Sequence, residues 1–179
     1  MPSSSQSSET NAAVPAKETA PAPLQDGVAT VLGRIPSGLF VVTWREADVD
    51  RFMLASWVMQ AGFSPPAITV AVGLSRELLA AIAKGTPFVV NVLGESQRSL
   101  LARFGRPPAA GENPFDGIEI VRGASGAPAI ATAAGWLECR SIAQVSGGDH
   151  TIVVAEVTDG KTGSAEQPLV HIRRNGLRY

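Results

Sequence analysis

Apolar residues along this chain come in short runs broken by glycine, proline or polar clusters, the rhythm of strands more than of long helices. The first ordered signal is nevertheless helical: Val28, Val31, Leu32 and Ile35 fall at i, i+3, i+4 and i+7, and Pro36-Ser37-Gly38 stops the run. Leu39 to Trp44 then reads as a strand, followed by a polar turn from Glu46 to Asp50 and a second strand from Phe52 to Val58. Ser64-Pro65-Pro66 punctuates the chain before a buried-type strand, Ala67 to Val72. Gly73-Leu74-Ser75-Arg76 opens a helix from about Arg76 to Lys84, closed by Gly85. Phe88 to Leu93 predicts another strand, and about Ser96 to Phe104 another helix. Arg106 to Gly117, with three prolines, two glycines and two carboxylates, predicts a long surface loop of the kind that is functional or mobile. Ile118 to Val121, Trp136 to Val145, Thr151 to Thr158 and Leu169 to Arg173 complete the strands. Six or more strands with few, short helices predict a mainly β protein, a barrel with helical decoration rather than a βαβ sheet.

Residues 1 to about 23 break this pattern. They are mostly Ser, Ala, Pro, Thr and Glu, with Val14 the only branched aliphatic, and such a segment buries too little apolar area to offset its conformational entropy. It is expected to be a disordered tail ahead of one domain over 24–179. It contains no apolar core of a secretory signal and no arginine of a transit peptide, so a cytoplasmic location is expected. A net charge of -1 among 179 residues gives no electrostatic footprint for nucleic acid. No apolar run approaches the roughly 20 residues that span a bilayer. The single cysteine, Cys139, allows no intrachain disulfide, and together with two histidines it is too few for a zinc or iron–sulfur site. No HExxH or EF-hand spacing is present, so no metal site is expected.

Several local patterns bear on chemistry. Gly160-Lys161-Thr162 resembles the end of a phosphate-binding loop, but position 155, where that loop needs glycine, is Ala155, so the stretch reads as a hairpin turn. No G-x-G-x-x-G, G-x-S-x-G or C-x-x-C occurs. Ser75 is an expected helix N-cap with Arg76 in the first turn. That is a structural role, and also a place where free N–H groups and a guanidinium would hold a phosphate. Ser56 lies among apolar neighbours, either as a small hydroxyl satisfied by backbone or beside strand-edge N–H groups of Ala55 to Val58 that would meet a flat polar heterocycle. The Trp57 side chain is expected in the core. His150, in Gly147-Gly148-Asp149-His150, follows a tight turn and is either structural or presented at a barrel rim. Cys139 is expected to be a small buried hydrophobe.

The order of these signals resembles the flavin reductase-like, FMN-binding split-barrel family from about Gly33 to Tyr179. The matching stretches are Gly38-Leu39-Phe40-Val41-Val42-Thr43, Leu54-Ala55-Ser56-Trp57-Val58, Ser64-Pro65-Pro66, Phe88-Val89-Val90-Asn91-Val92-Leu93, Leu137-Glu138-Cys139 and Gly148-Asp149-His150. With the closing His171-Ile172-Arg173-Arg174-Asn175-Gly176-Leu177-Arg178-Tyr179, the chain is most similar to the C-terminal flavin reductase-like module of the flavodiiron proteins of oxygenic phototrophs. The resemblance implies a homodimeric split β-barrel holding FMN without covalent attachment, with NAD(P)H as reductant. Carried over, Leu54, Ala55, Ser56, Trp57 and Val58 line the isoalloxazine, Ser75 and Arg76 take the phosphate, and His150 serves catalysis near the nicotinamide. Many free-standing members have Thr-Ala-Ser-Ser where this chain has Leu54-Ala55-Ser56-Trp57. Three functions follow: an NAD(P)H:flavin oxidoreductase, an FMN module passing electrons to a protein acceptor without reductase activity of its own, or a non-enzymatic binder of haem or another ligand.

Overall fold

A computed structural model describes residues 26–177; the predicted tail, Leu24, and the closing Arg178 and Tyr179 lie outside the described residues. The chain runs α1 (Asp26–Gly33), β1 (Ser37–Gly38), β2 (Phe40–Glu46), β3 (Val49–Ala55), β4 (Val58–Phe63), β5 (Pro66–Gly73), α2 (Glu77–Ala83) and β6 (Phe88–Val92). A 3-10 turn (Glu95–Arg98), α3 (Ser99–Phe104), β7 (Ile120–Arg122), β8 (Pro128–Ile130), β9 (Gly135–Gly147), β10 (His150–Thr162) and β11 (Val170–His171) follow.

Seven strands form one antiparallel sheet in the order β3-β2-β6-β9-β10-β5-β4. Its two edge strands, β3 and β4, are consecutive in sequence and joined by Ser56 and Trp57 alone. Laid flat, seven strands at about 4.8 Å spacing would hold the edges roughly 29 Å apart, whereas two linking residues reach about 10 Å. The sheet therefore rolls until its edges meet, and Ser56-Trp57 stitches the seam of the resulting barrel. Strand alternation fills the interior: Val42, Val70, Val72, Phe88, Val90, Val153 and Ala155 are buried in one cluster with Leu78 and Ile82 of α2.

The β7–β8 hairpin closes a second cluster and is fastened by Asn91. This buried side chain donates from Nδ2 to the Val41 carbonyl (2.8 Å) and accepts the Ile130 N–H on Oδ1 (2.7 Å). A polar residue in the middle of an apolar strand is thus fully used as a cross-strand tie.

The mainly β class is as expected, and several local readings change, among them Gly160-Lys161-Thr162, expected as a hairpin turn and found as the end of β10. The run Phe52 to Val58 is two strands interrupted at the seam, and β8 was not anticipated. The helix after Gly73 begins at Glu77 with Arg76 as its N-cap, in extended conformation and without a side-chain cap, because the Arg76 N–H is spent closing a turn on the Gly73 carbonyl (2.9 Å). Ser75 is therefore not the cap. The loop after α3 is pinned rather than loose. Phe115 is buried against Phe52 and Phe104, and Glu112 accepts from Arg106 (2.6 Å) and from the Ala109 N–H (2.7 Å). The Arg106 hydrogen bond leads in lowering the Glu112 carboxyl to about 2. Finally, Val28, Val31, Leu32 and Ile35 face outward. The helix α1 docks instead through its small residues, Ala29 and Gly33, whose carbonyls accept from the N–H groups of Gly176 (2.8 Å) and Arg173 (2.9 Å). A Cβ at Gly33 would stand 2.5 Å from the Arg173 carbonyl oxygen, so only glycine permits this approach.

Candidate functional site

The seam is where ladder hydrogen bonding stops. β3 ends its pairing at Ala55↔Phe40 and β4 begins at Val58↔Val70, with one further bond from the Ala71 N–H to the Trp57 carbonyl (3.0 Å). Ser56 is buried there and Trp57 is half-exposed, 37% of its surface remaining accessible. Its side chain does not enter the core as expected, because the residue sits where the chain leaves one sheet edge for the other.

A cavity of about 500 Å³ opens beside the seam, within the roughly 300–1,000 Å³ of small-molecule sites. Leu39, Leu54 and Leu101 form an apolar floor, and Ala55 and Ser56 one wall. The facing wall is the C-terminal strap, His171 to Asn175, which contributes Arg173 and Arg174. Among the described residues that line the cavity none is acidic, so its polar side is cationic. The strap is held in place from behind: β11 pairs with β1, and the two backbone bonds to α1 clamp both sides of Arg174.

Trp57 connects this cavity to the second group of site residues. The Arg173 guanidinium lies 4.8 Å from its ring centroid, a cation–π distance. The His150 imidazole lies 4.9 Å from the same ring. His150 opens β10 opposite Gly73 and is 9% exposed, more enclosed than its place after a Gly-Gly turn suggested. Its Nδ1 pairs with the exposed Asp149 carboxylate at 2.8 Å. That hydrogen bond, ahead of the charge itself, holds the Asp149 carboxyl below its usual range. A Cβ placed on Gly73 would lie 3.8 Å from both His150 Nε2 and Arg76 Cγ, so these two side chains flank the same glycine.

Of the expected residues, Leu54, Ala55 and Ser56 line the cavity, while Trp57 and His150 are in contact. Ser75 and Arg76 are exposed just beyond Gly73. Val58 packs against the barrel core instead of the cavity. Leu39, Leu101 and His171 were not singled out from sequence as lining residues. Nothing local marks them, since only the rolled sheet and the returning strap bring them to the seam. Among the described residues, no group of three or more His, Cys, Asp or Glu could hold a metal ion.

Comparison with known proteins agrees with this fold. The signature described as flavin reductase like domain matches residues 32–177. Diflavin flavoprotein A 1 of Synechocystis sp. is 35% identical over 158 residues, 87% of this chain but 28% of that protein. The chain thus spans little more than a quarter of that relative. Among solved structures, the NADH:FAD oxidoreductase SgcE6 of Streptomyces globisporus C-1027 superposes with a TM-score of 0.74 at 32% identity, covering 85% of this chain and 93% of its own. It has also been solved in complex with NAD and FAD fragments. The flavin reductase PheA2 gives 0.71 at 26% identity, covering 83% and 94%.

Proposed function

The chain belongs to the flavin reductase-like domain family, and from that premise we propose that it binds FMN at the barrel seam and accepts hydride there from NAD(P)H. The observation that carries the reading is the interruption of the sheet at Ser56-Trp57, which leaves backbone, a buried hydroxyl and an indole together beside a cavity with an apolar floor. The residues present suit a flavin. Leu54 to Ser56 supply strand-edge polar groups for the ring's heteroatoms, and Arg76, neighbour of His150 across Gly73, supplies a cation for the phosphate. That second role rests on the guanidinium, because α2 is only seven residues long.

When bound, flavin supplies two-electron chemistry at a ring that accepts hydride. The protein's part is alignment and electrostatics. Trp57 fixes the His150 imidazole by ring contact and Asp149 fixes it by hydrogen bond, so His150 presents a constrained polar edge next to the seam, where it would position the nicotinamide. A second reading has its own support. The match to diflavin flavoprotein A 1 covers 28% of that protein, which fits a module handing electrons to a protein acceptor. In either case the working unit would be a homodimer.

Titration with FMN, followed by quenching of its fluorescence, tests the reading. Saturation at about one flavin per chain is expected; no saturation at roughly tens of micromolar, a site weaker than about 6 kcal/mol, would overturn it. Anaerobic bleaching of the bound flavin by NADH or NADPH then separates reductase from electron-transfer module.

A further inference from the structure

The strap carries an Asn-Gly pair, Asn175-Gly176. Packing explains the glycine. A Cβ at Gly176 would stand 2.3 Å from Leu32 Cβ and 2.6 Å from the Gly33 nitrogen, so no larger residue fits against α1. Its N–H donates to the Ala29 carbonyl (2.8 Å). The asparagine is less constrained. It is exposed, and its Oδ1 accepts the Leu177 N–H (2.8 Å), a bond that an aspartate oxygen would make equally well. Asparagine is a chemically labile residue, most of all before glycine, where no side chain shields its Cγ from the following backbone nitrogen. The docked helix engages that nitrogen. Yet the docking is light: Ala29 and Gly33 of α1 are buried, while Val28, Val31, Leu32 and Ile35 face outward. An element that buries so little apolar surface belongs to the low end of local stability and opens most readily.

We infer that Asn175 is a deamidation site gated by α1. While the helix is docked, Ala29 holds the Gly176 N–H and the amide persists. When the helix lifts, the Gly176 nitrogen gives up its proton and bonds to Asn175 Cγ. The Cγ–Nδ2 bond breaks, and ammonia departs with the two amide hydrogens and that proton. Water then opens the resulting succinimide at either carbonyl, leaving aspartate or isoaspartate. No electron is transferred, and water is the one co-reactant. Either product places a carboxylate beside Arg173 and Arg174, on a cavity wall where none of the described lining residues is acidic. The isoaspartyl product also adds one methylene to the main chain ahead of Gly176, which displaces its nitrogen from the Ala29 carbonyl. Opening of α1 thereby becomes permanent, whatever ligand the cavity holds.

The full chain is incubated at neutral pH, both folded and in urea above its unfolding transition, beside Gly33→Ala. The Cβ added there would meet the Arg173 carbonyl oxygen at 2.5 Å and push the strap off α1. Cleavage after Glu166 releases the peptide that holds Asn175. Its mass reports conversion of amide to carboxyl, and chromatography against synthetic peptides reports isoaspartate. Deamidation at Asn175 is expected to run roughly tenfold or more faster in the unfolded chain than in the folded one, the protection that even a lightly docked element confers. Gly33→Ala, with its barrel intact by circular dichroism, should approach the unfolded rate. If Gly33→Ala does not fold, hydrogen exchange of the Gly176 amide in wild-type protein takes its place, followed at urea concentrations below the transition. Deamidation should then rise in step with that exchange. An unfolded chain that keeps its amide would remove the site. Equal rates folded and unfolded, a folded Gly33→Ala as protected as wild type, or deamidation that does not follow Gly176 exchange would remove the gate. Each of these results overturns the inference.

Discussion

At the scale of single residues, the seam assigns different work to neighbours that look alike in sequence. Arg76 and His150 flank Gly73, and their roles should separate in solution. Arg76→Ala should weaken FMN by roughly 10- to 150-fold, the worth of one charge-assisted hydrogen bond, and barely change riboflavin, which has no phosphate. Equal loss for both ligands would make Arg76 a solvated helix residue. His150→Ala should do the reverse, slowing reduction of bound flavin by NAD(P)H in stopped-flow while FMN affinity stays within about a factor of two. Unchanged reduction would return His150 to a purely structural partner of Trp57 and Asp149. Cys139 lies outside this chemistry. Burial first, and the neighbouring Glu138 charge second, push its thiol up to about 12, so almost no thiolate exists at neutral pH. A thiol-specific disulfide reagent should therefore leave the native protein unmodified over minutes and titrate one thiol after unfolding. Rapid modification of folded protein would contradict the burial of β9 at this point.

At the scale of elements, the β7–β8 hairpin is joined to the sheet by Asp50 on the edge strand β3 as well as by Asn91 on the interior strand β6. Asp50 on β3 accepts from Arg122 of β7 (2.7 and 2.9 Å) and from Arg45 of β2 (2.9 Å). The Arg122 hydrogen bond leads in holding its carboxyl below the usual 3.8, with burial opposing and Arg45 assisting. A carboxyl depressed in the folded state contributes stability above its unfolded pKa and loses it as pH falls through the folded value. Asp50→Asn should thus cost about 1 kcal/mol near neutral pH, allowing for solvent screening of partly exposed pairs, and almost nothing well below pH 3.8. Urea melts of both proteins at neutral pH and at about pH 2 check this; a gap independent of pH would mean that shape, not charge, fastens the hairpin. The elements themselves were largely legible in sequence. Strand runs such as Ala67 to Val72 and Phe88 to Leu93 are apolar between clear breaks, and Gly85 marks a helix end. The interruption at Ser56-Trp57 was not, because an apolar run reads the same whether it continues a strand or crosses from one sheet edge to another. The resemblance named Leu54, Ala55 and Ser56, which do line the cavity, whereas Leu39, Leu101 and the strap reach it only through the roll of the sheet and could not be named from sequence. The period of α1 revealed an apolar stripe and not which face is buried; the close approach at Gly33 decided that.

At the scale of the whole molecule, rolling the sheet turns one face of every strand inward and leaves the other to be accounted for. On β5 and β10 the inward partners, Val70 and Val153, are fully buried. The outward face of the same strands is also apolar, in two cross-strand rows. One runs Met59–Thr69–Val154–Ala143, the other Ala71–Ile152–Val145, the latter reaching the seam through the Ala71 bond to Trp57. Met59 is 70% exposed and Phe63, at the end of the edge strand β4, 87%. An apolar patch bounded by the Glu156–Arg140 ion pair (2.9 Å) and lying beside an unpaired edge is a surface that proteins ordinarily cover. A second copy of the same face, related by a two-fold axis, would cover both rows at once, since the same patch serves on each side. Because the Ala71 row reaches Trp57, that contact would lie against the proposed cofactor seam and would shield it from water. The expected result is a dimer by light scattering at micromolar concentration. Met59→Glu with Val145→Lys, placed on exposed positions so that the barrel itself still folds, should shift the protein to monomer and weaken FMN in parallel. A wild-type monomer at that concentration would remove the dimer from the proposed function. A double variant that stays dimeric would move the interface to another apolar surface, the outward stripe of Val28, Val31, Leu32 and Ile35 on α1 being the next to test.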